Sequence, residues 1–169
     1  MIAKSSIYRN LKSINALYNQ SNSIKEGLFY SKLALLELCG WIEESMDGII
    51  RRCANKNLRV QSNLQMIEKD IIKRTSGFEY NKYFRQMFVK TLGLINLEKL
   101  EKKFDPIKFQ LLETTLETLK SARNDEAHTH IKGITRRIDS PSITISRFFI
   151  VYDGLQNIDN IIRQARFKV

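Results

Sequence analysis

Apolar residues recur at three- and four-residue steps along most of the chain, and they nowhere alternate for long at the two-residue period of strands. Four of them predict a first short helix: Ile7, Leu11, Ile14 and Leu17. Ser23 and Glu26 then have the spacing of a capping box in front of a long helix that runs through Cys53. The apolar face of this long helix comprises Leu35, Leu38, Ile42, Met46 and Ile49. The N-terminal third of the chain therefore predicts one short and one long helix.

Two further helices are predicted in the middle of the chain. One runs from about Leu58 to Arg74, with Gly77 as the residue that ends it, and the next begins at Glu79 and ends at Gly93. Residues 94–104 form a short helix or an ordered connection.

The last third of the chain predicts two more helices. Asp105 is a suitable N-cap and Pro106 a suitable first residue for a helix through His128. Its apolar stripe is Phe109, Leu112, Leu116 and Leu119. Residues 133–142 predict a loop, and residues 143–167 predict a final helix whose apolar face is Phe148, Val151, Leu155, Ile158 and Ile162.

The fold class expected from this pattern is all-α, a helical bundle with one long central helix. The 169 residues show no internal repeat and no linker, so a single domain over residues 1–169 is predicted. A bundle of this kind leaves one or two faces available for self-association.

The composition of the chain indicates a cellular location and a class of binding partner. Cys39 and Cys53, both in apolar helical sequence, indicate reduced thiols in a cytoplasmic protein. The N-terminus has no signal-peptide pattern and no apolar run is long enough for a membrane span, so no membrane is expected as a partner. The net charge of +10 favours an anionic partner such as nucleic acid.

Both histidines lie in one ten-residue segment, SARNDEAHTH, from Ser121 to His130. Within it, Arg123 and His128 are separated by four residues, and Asn124 follows the arginine directly. An arginine and a histidine at this spacing occur easily by chance in a chain rich in arginine. The segment gains weight from its position, because it closes the amphipathic helix that begins at Pro106 and precedes a basic loop.

In this context the sequence resembles the HEPN superfamily, whose RNase members carry an Arg-x(4–6)-His motif matched here by RNDEAH. The long helix LALLELCGWIEESMDGII and the run FDPIKFQLLETTLETLKSARN are similar to the corresponding parts of the stand-alone RiboL-PSP-like group. The resemblance covers about Ser31 to Gln164. It implies a HEPN-like bundle that forms a symmetric homodimer, with two copies of the motif facing each other in a composite active site.

What the resemblance implies chemically is a metal-independent endoribonuclease that needs no cofactor. A ribose 2′-OH attacks the adjacent phosphorus, and the products carry a 2′,3′-cyclic phosphate and a 5′-OH. An imidazole suits the proton transfers, and a guanidinium suits the charge that develops on phosphate. His128 is thus expected to act as acid/base, Arg123 to stabilise the phosphate, and Asn124 to orient the phosphate or the imidazole.

Helix geometry attaches a condition to these roles. Arg123 and His128 are about 140° apart around an ideal helix, so they meet on one phosphate only if the helix bends or ends, or if a second chain contributes. His130 lies about 20° from Arg123 on a continued helix and remains an alternative acid/base. His130 also occupies the place where some HEPN proteins have an AMP-accepting tyrosine, so that modification is not expected.

Several other residues have two interpretations each. Glu43 best matches the acid of the family stretch GWIE and could hold Arg123 or tune His128, although Glu43 and its neighbour Glu44 could equally be ordinary surface acids. Lys132, Arg136 and Arg137 are candidates for contacts with the RNA backbone.

A second basic group is interpreted as a solvated helix end: Arg51, Arg52, Lys56 and Arg59. A set of aromatic residues is interpreted as core rather than as a stacking surface: Tyr80, Tyr83, Phe84 and Phe88, with Trp41 in the core or a dimer interface. The cysteine and histidine spacings do not fit a zinc site.

The sequence therefore predicts an RNase with RNA and a second copy of the chain as partners, in the role of a toxin or a phage-defence effector. A separate antitoxin protein is compatible with this interpretation. The alternative is a non-catalytic HEPN-type partner subunit of a toxin–antitoxin or nucleotidyltransferase complex. The sequence does not specify the RNA that is cut or the cleavage position.

Overall fold

The computed structural model of the chain describes residues 2–127 and 137–165. Within these residues there are seven α-helices and no β-strand. They are α1 (Ser5–Asn19), α2 (Ile24–Asn57), α3 (Gln61–Met66), α4 (Arg85–Leu92), α5 (Leu94–Glu101), α6 (Pro106–Ala127) and α7 (Pro141–Gln164). The expected all-α class is confirmed.

The middle of the chain is less regular than its sequence pattern predicts. Helix α3 passes into a π-helical stretch over Ile67–Ile72, and a second π-helical stretch over Tyr80–Phe84 leads into α4. Gly77 does not end the first of these helices, because four residues separate it from Ile72. Its φ of 124° lies in the left-handed region, and a Cβ at this position would lie 2.6 Å from the ring of Tyr83. Gly77 is therefore required by the connection between the two stretches.

Helix α2 forms the centre of the core, and α1, α6 and α7 pack around it. Its predicted apolar face is buried along its whole length: Leu35, Leu38, Ile42, Met46 and Ile49. In α1 the prediction is wrong at one position, because Leu17 is 46% exposed while Ile7, Leu11 and Ile14 are buried. The last turn of α1 lies where the turn to α2 begins, and this position faces water.

The expected helix starts are present at α2 and α6. The Glu26 N–H donates to Oγ of Ser23 at 3.2 Å, and the Glu26 carboxylate reaches back to accept from the N–H of Asn22, one residue before the N-cap, at 2.9 Å. Oδ1 of Asp105 accepts from the N–H groups of Ile107 and Lys108, each at 3.0 Å. These caps satisfy N–H groups that have no partner inside the helix.

Helix α7 begins earlier than expected. The predicted loop extended to residue 142, but the helix starts at Pro141. Proline suits a first helical position because its missing N–H would have no partner there. The irregular part of the described loop is confined to residues 137–140.

The basic group at the end of α2 was predicted to be a solvated helix end, and three of its four members contradict this. Arg51 forms two hydrogen bonds to the Glu68 carboxylate, at 2.8 and 3.0 Å. Arg52 donates to the buried Asp159 at 3.0 Å. Lys56 donates to the main-chain oxygens of Arg163 and Ala165, each at 2.7 Å. These bonds tie α2 to the segment after α3 and to the end of α7, while Lys56 itself stays exposed.

The aromatic residues at helical spacing are core residues, as the periodicity predicted. Tyr80, Phe84 and Phe88 are buried, and Tyr83 is half-buried. Trp41 is also buried, and its Nε1–H donates to the main-chain oxygen of Ala3 at 2.8 Å. This bond attaches the N-terminal segment to α2.

None of the helices in the described part of the chain has the length and hydropathy needed to cross a membrane.

Helices α6 and α7 approach closely at Gly154. A Cβ at this position would lie 2.7 Å from Cβ of Leu112, which is itself fully buried. The lack of a side chain at Gly154 therefore sets the spacing of the two helices on which the candidate site is built.

We expect Gly154→Ala to lower the free energy of unfolding by about 1–3 kcal/mol, because the added methyl group must push α6 and α7 apart. The matched control is Gly40→Ala in α2, where a Cβ would meet nothing within 4 Å. This control is expected to raise stability by roughly 0.5–1 kcal/mol, since alanine restricts the unfolded chain. Urea unfolding at low protein concentration measures both, and equal effects of the two substitutions would contradict the packing argument.

Candidate active site

Arg123 and Asn124 lie on the last described turns of α6. Asn124 is exposed, whereas Arg123 is half-buried against α2. Nη2 of Arg123 lies 3.6 Å from Oε1 of Glu43. The structure therefore brings Arg123 together with the acid that the sequence proposed as its support, and it leaves Glu44 exposed on another side of α2.

The Glu43 carboxylate is partly removed from water. Its Oε1 atom is buried and has no hydrogen bond from a described residue. A buried carboxylate oxygen loses its hydration, and a nearby cation offsets that cost. The guanidinium of Arg123 supplies the cation here, so the two side chains hold each other at the junction of α2 and α6.

Cys39 lies one helical turn before Glu43 and belongs to the same environment. Burial raises the pKa of the Cys39 thiol to about 12, with Arg123 lowering it and Glu43 raising it. Burial likewise raises the pKa of the Cys53 thiol to about 11. Both cysteines are therefore protonated near neutral pH, and neither has the thiolate character that a nucleophile needs.

A cavity of about 300 Å³ lies beside the motif, between α6, the loop before α7 and the first turns of α7. Its lining consists of Leu35, Thr118, Ser121, Ala122, Asp125, Glu126, Arg137, Ile138, Asp139, Thr144 and Arg147. The motif segment thus forms one wall, and Arg137, which was predicted to contact RNA, lies on the opposite side.

The charges around this cavity are mixed. Arg147 donates to Oδ2 of Asp139 at 2.6 Å, so these two side chains largely neutralise each other. Arg137 is exposed, while Glu126 is 5% exposed. Arg137 is therefore the more accessible of these two charges.

Four of the predicted site residues lie outside the described residues: His128, His130, Lys132 and Arg136. Among residues 2–127 and 137–165, no cluster of three or more histidine, cysteine, aspartate or glutamate side chains could hold a metal ion.

Helix α6 is continuous from Pro106 to Ala127, so helical spacing holds from Arg123 to Ala127. Arg123 and His128 can then act on one phosphate in two ways. Either the chain changes direction at His128 itself, or a second copy supplies one of the two groups.

Four charged residues that the sequence did not single out line the cavity. Arg147 and Asp139 reach it only through the packing of α7 against α6, for which no local sequence signal exists. Asp125 and Glu126 stand within the motif itself.

Asp47 is a further residue that the sequence did not single out. It lies one turn after Glu43 on α2, and burial raises its pKa to about 6. Arg51 lowers this pKa, and the neighbouring acids Glu68, Glu43 and Glu44 raise it. Asp47 thus carries a carboxyl that titrates closer to neutral pH than an ordinary aspartate.

We expect Asp47→Asn to stabilise the protein at pH 7 on the order of 1–2 kcal/mol, after allowance for its partial exposure. The pKa of Asp47 in the folded chain, about 6, lies above its ordinary value of 3.8. The folded state therefore binds the proton more tightly, and this group makes stability fall as pH rises from about 4 to about 6. Below that window the carboxyl is protonated in both states and the gain disappears.

Urea unfolding at pH 4 and pH 7 measures this effect, with Asp153→Asn on the exposed side of α7 as the matched control. A gain of equal size at both pH values would contradict the assignment.

No protein-family model, curated protein or solved structure matches this chain.

Proposed function

We propose that this chain is a HEPN-type, metal-independent endoribonuclease that works as a homodimer with a composite active site. The motif RNDEAH carries the chemistry, and single-stranded or loop RNA is the substrate. A toxin or phage-defence role in the cytoplasm, restrained by a separate antitoxin protein, is the biological context that this activity suggests.

The observation that carries the proposal is the pairing of Arg123 with Glu43. Two residues that lie on different helices, 80 positions apart in the sequence, meet at 3.6 Å at the start of the motif. An exposed ion pair of this kind adds little to the stability of a protein. A phosphate-binding arginine gains a fixed direction, and a fixed guanidinium stabilises developing charge without reorganising during the reaction.

Each motif residue has its own role in the reaction. His128, with His130 as the alternative, acts as the base. It removes the proton of the ribose 2′-OH, and the 2′-oxygen attacks the adjacent phosphorus. The bond from phosphorus to the 5′-oxygen breaks, and that oxygen receives a proton to become the 5′-OH. Arg123 donates to a non-bridging oxygen throughout. Asn124, which is exposed next to Arg123, donates to the phosphate or holds the imidazole.

Contacts with the rest of the RNA are expected from the residues that follow the motif. Arg137 lies at the mouth of the cavity, and it joins Lys132 and Arg136 as a candidate for binding the RNA backbone.

Incubation with total RNA in the presence of EDTA tests the activity. We expect the wild-type chain to release fragments with 2′,3′-cyclic phosphate and 5′-OH ends, and EDTA to have no effect. Both His128→Ala and Arg123→Ala are expected to lose cleavage by a factor of about 10² or more, because each removes a group that acts in the transition state.

The outcomes separate the alternatives. Cleavage by both variants at the wild-type rate would overturn the site, and a wild-type chain without cleavage would favour the non-catalytic partner subunit. His130→Ala in the same assay decides which histidine transfers the proton, since only loss of the acid/base histidine abolishes cleavage.

Glu43 is expected to act by positioning Arg123. Glu43→Gln removes the charge that holds the guanidinium, and we expect cleavage to fall about tenfold, or about 1.4 kcal/mol in transition-state stabilisation. The matched control is Glu44→Gln, because Glu44 is the next residue on the same helix and is exposed. A single-turnover cleavage assay measures both variants. An equal effect of the two substitutions would show that Glu43 does not position Arg123 and is an ordinary surface acid.

A further inference from the structure

Helix α2 presents an apolar ridge on its exposed side. Phe29 is 51% exposed and Leu33 is 46% exposed, while Leu36 is half-buried. Gly40 continues the line, and a Cβ built on it would meet nothing within 4 Å. The spacings of four, three and four residues keep these positions on one face of the helix. We name this surface, formed by Phe29, Leu33, Leu36 and Gly40, the α2 ridge.

The α2 ridge has the dimensions and the shape of a helix-packing surface. It is about 16 Å long at the rise of an α-helix. Exposed aromatic and leucine side chains in a continuous line are unfavourable in water, and they are typical of surfaces that contact another protein.

The charges on the two flanks of the ridge have opposite signs. Lys32 directly precedes Leu33 on one flank, with Lys25 one heptad earlier, and Glu37 directly follows Leu36 on the other flank. When two such helices pack in parallel about a two-fold axis, the basic flank of one faces the acidic flank of the other. In an antiparallel pair, like charges would face each other. The charge pattern therefore selects the parallel arrangement.

We propose that the occupant of the α2 ridge is the same ridge of a second copy, with the two α2 helices parallel about a two-fold axis. Lys32 of each copy then lies near Glu37 of the other. This proposal rests on the homodimer of the proposed function and specifies the surface that forms it.

The arrangement has a consequence for the motif. Three residues after Gly40 the same face of α2 reaches Glu43, which holds Arg123. Because a two-fold axis along parallel helices keeps equivalent residues at the same level, the two Glu43–Arg123 pairs face each other across it. This surface thereby places a second copy of the motif opposite the first, as the composite site of the proposed function requires.

Cysteine cross-linking tests the arrangement without RNA. We expect Gly40→Cys to form a disulfide-linked dimer under mild oxidation, because Gly40 meets its own equivalent in the parallel pair, whereas in an antiparallel pair centred on the ridge it lies opposite Phe29. The two natural cysteines are buried and contribute little background. The control is Ile107→Cys, an exposed apolar position on α6 that lies off the ridge. Cross-linking of Gly40→Cys no greater than that of Ile107→Cys would overturn the proposal.

Charge reversal provides an independent measurement by sedimentation equilibrium. Lys32→Glu and Glu37→Lys are each expected to weaken dimerisation at least tenfold, and the double variant is expected to recover most of the loss. Failure of the double variant to recover, when each single variant stays folded by circular dichroism, would overturn the pairing.

These results are separable from the RNase activity. A wild-type dimer that cuts RNA but shows no ridge cross-link would overturn this surface and leave the proposed function standing. A ridge-linked dimer that cuts no RNA would do the reverse.

Discussion

Helix α2 has a buried side that runs from Gly27 to Ala54, and α1, α6 and α7 must all pack against it to remove that side from water. Burial of this apolar surface contributes most of the stability in a bundle of this size. The positions of the other helices follow from it. Because α6 must lie along α2, its last turns arrive beside Cys39 and Glu43, and the motif arginine meets an acid that is remote in sequence.

Helix α7 fixes the second half of the site. Its close approach to α6 at Gly154 brings the loop at residues 137–140 back over the motif segment. Polar ties then hold α7 against α2 at the far end, where Arg52 bonds to the buried Asp159. The polar cavity at one end of the bundle therefore depends on packing and ion pairing at the other.

Sequence periodicity predicted the parts of this fold that depend on local patterns. The long helix, its capping box and the Asp105–Pro106 start follow from side chains within a few residues of each other, and they are present. The π-helical stretches at Ile67–Ile72 and Tyr80–Phe84 do not follow, because the apolar spacing there is also that of an ordinary α-helix. The basic residues at the end of α2 were misjudged for the same reason, since Glu68 and Asp159 become neighbours only on folding.

The residues of the candidate site also differ in whether the local sequence identifies them. Arg123, Asn124 and Glu43 were identifiable from short motifs, whereas Arg147 and Asp139 reach the cavity through tertiary packing alone. The raised pKa of Asp47 also has no sequence signature, because it comes first from burial on α2 and then from acids on two segments.

The two bonds that Lys56 donates to the end of α7 have an implication for how the bundle opens. The last carbonyls of a helix are normally the first to fray, since they lack partners within the helix. Here the main-chain oxygens of Arg163 and Ala165 are held by a side chain of α2. Opening the end of α7 therefore also breaks both bonds to Lys56, so fraying there is coupled to the last turn of α2.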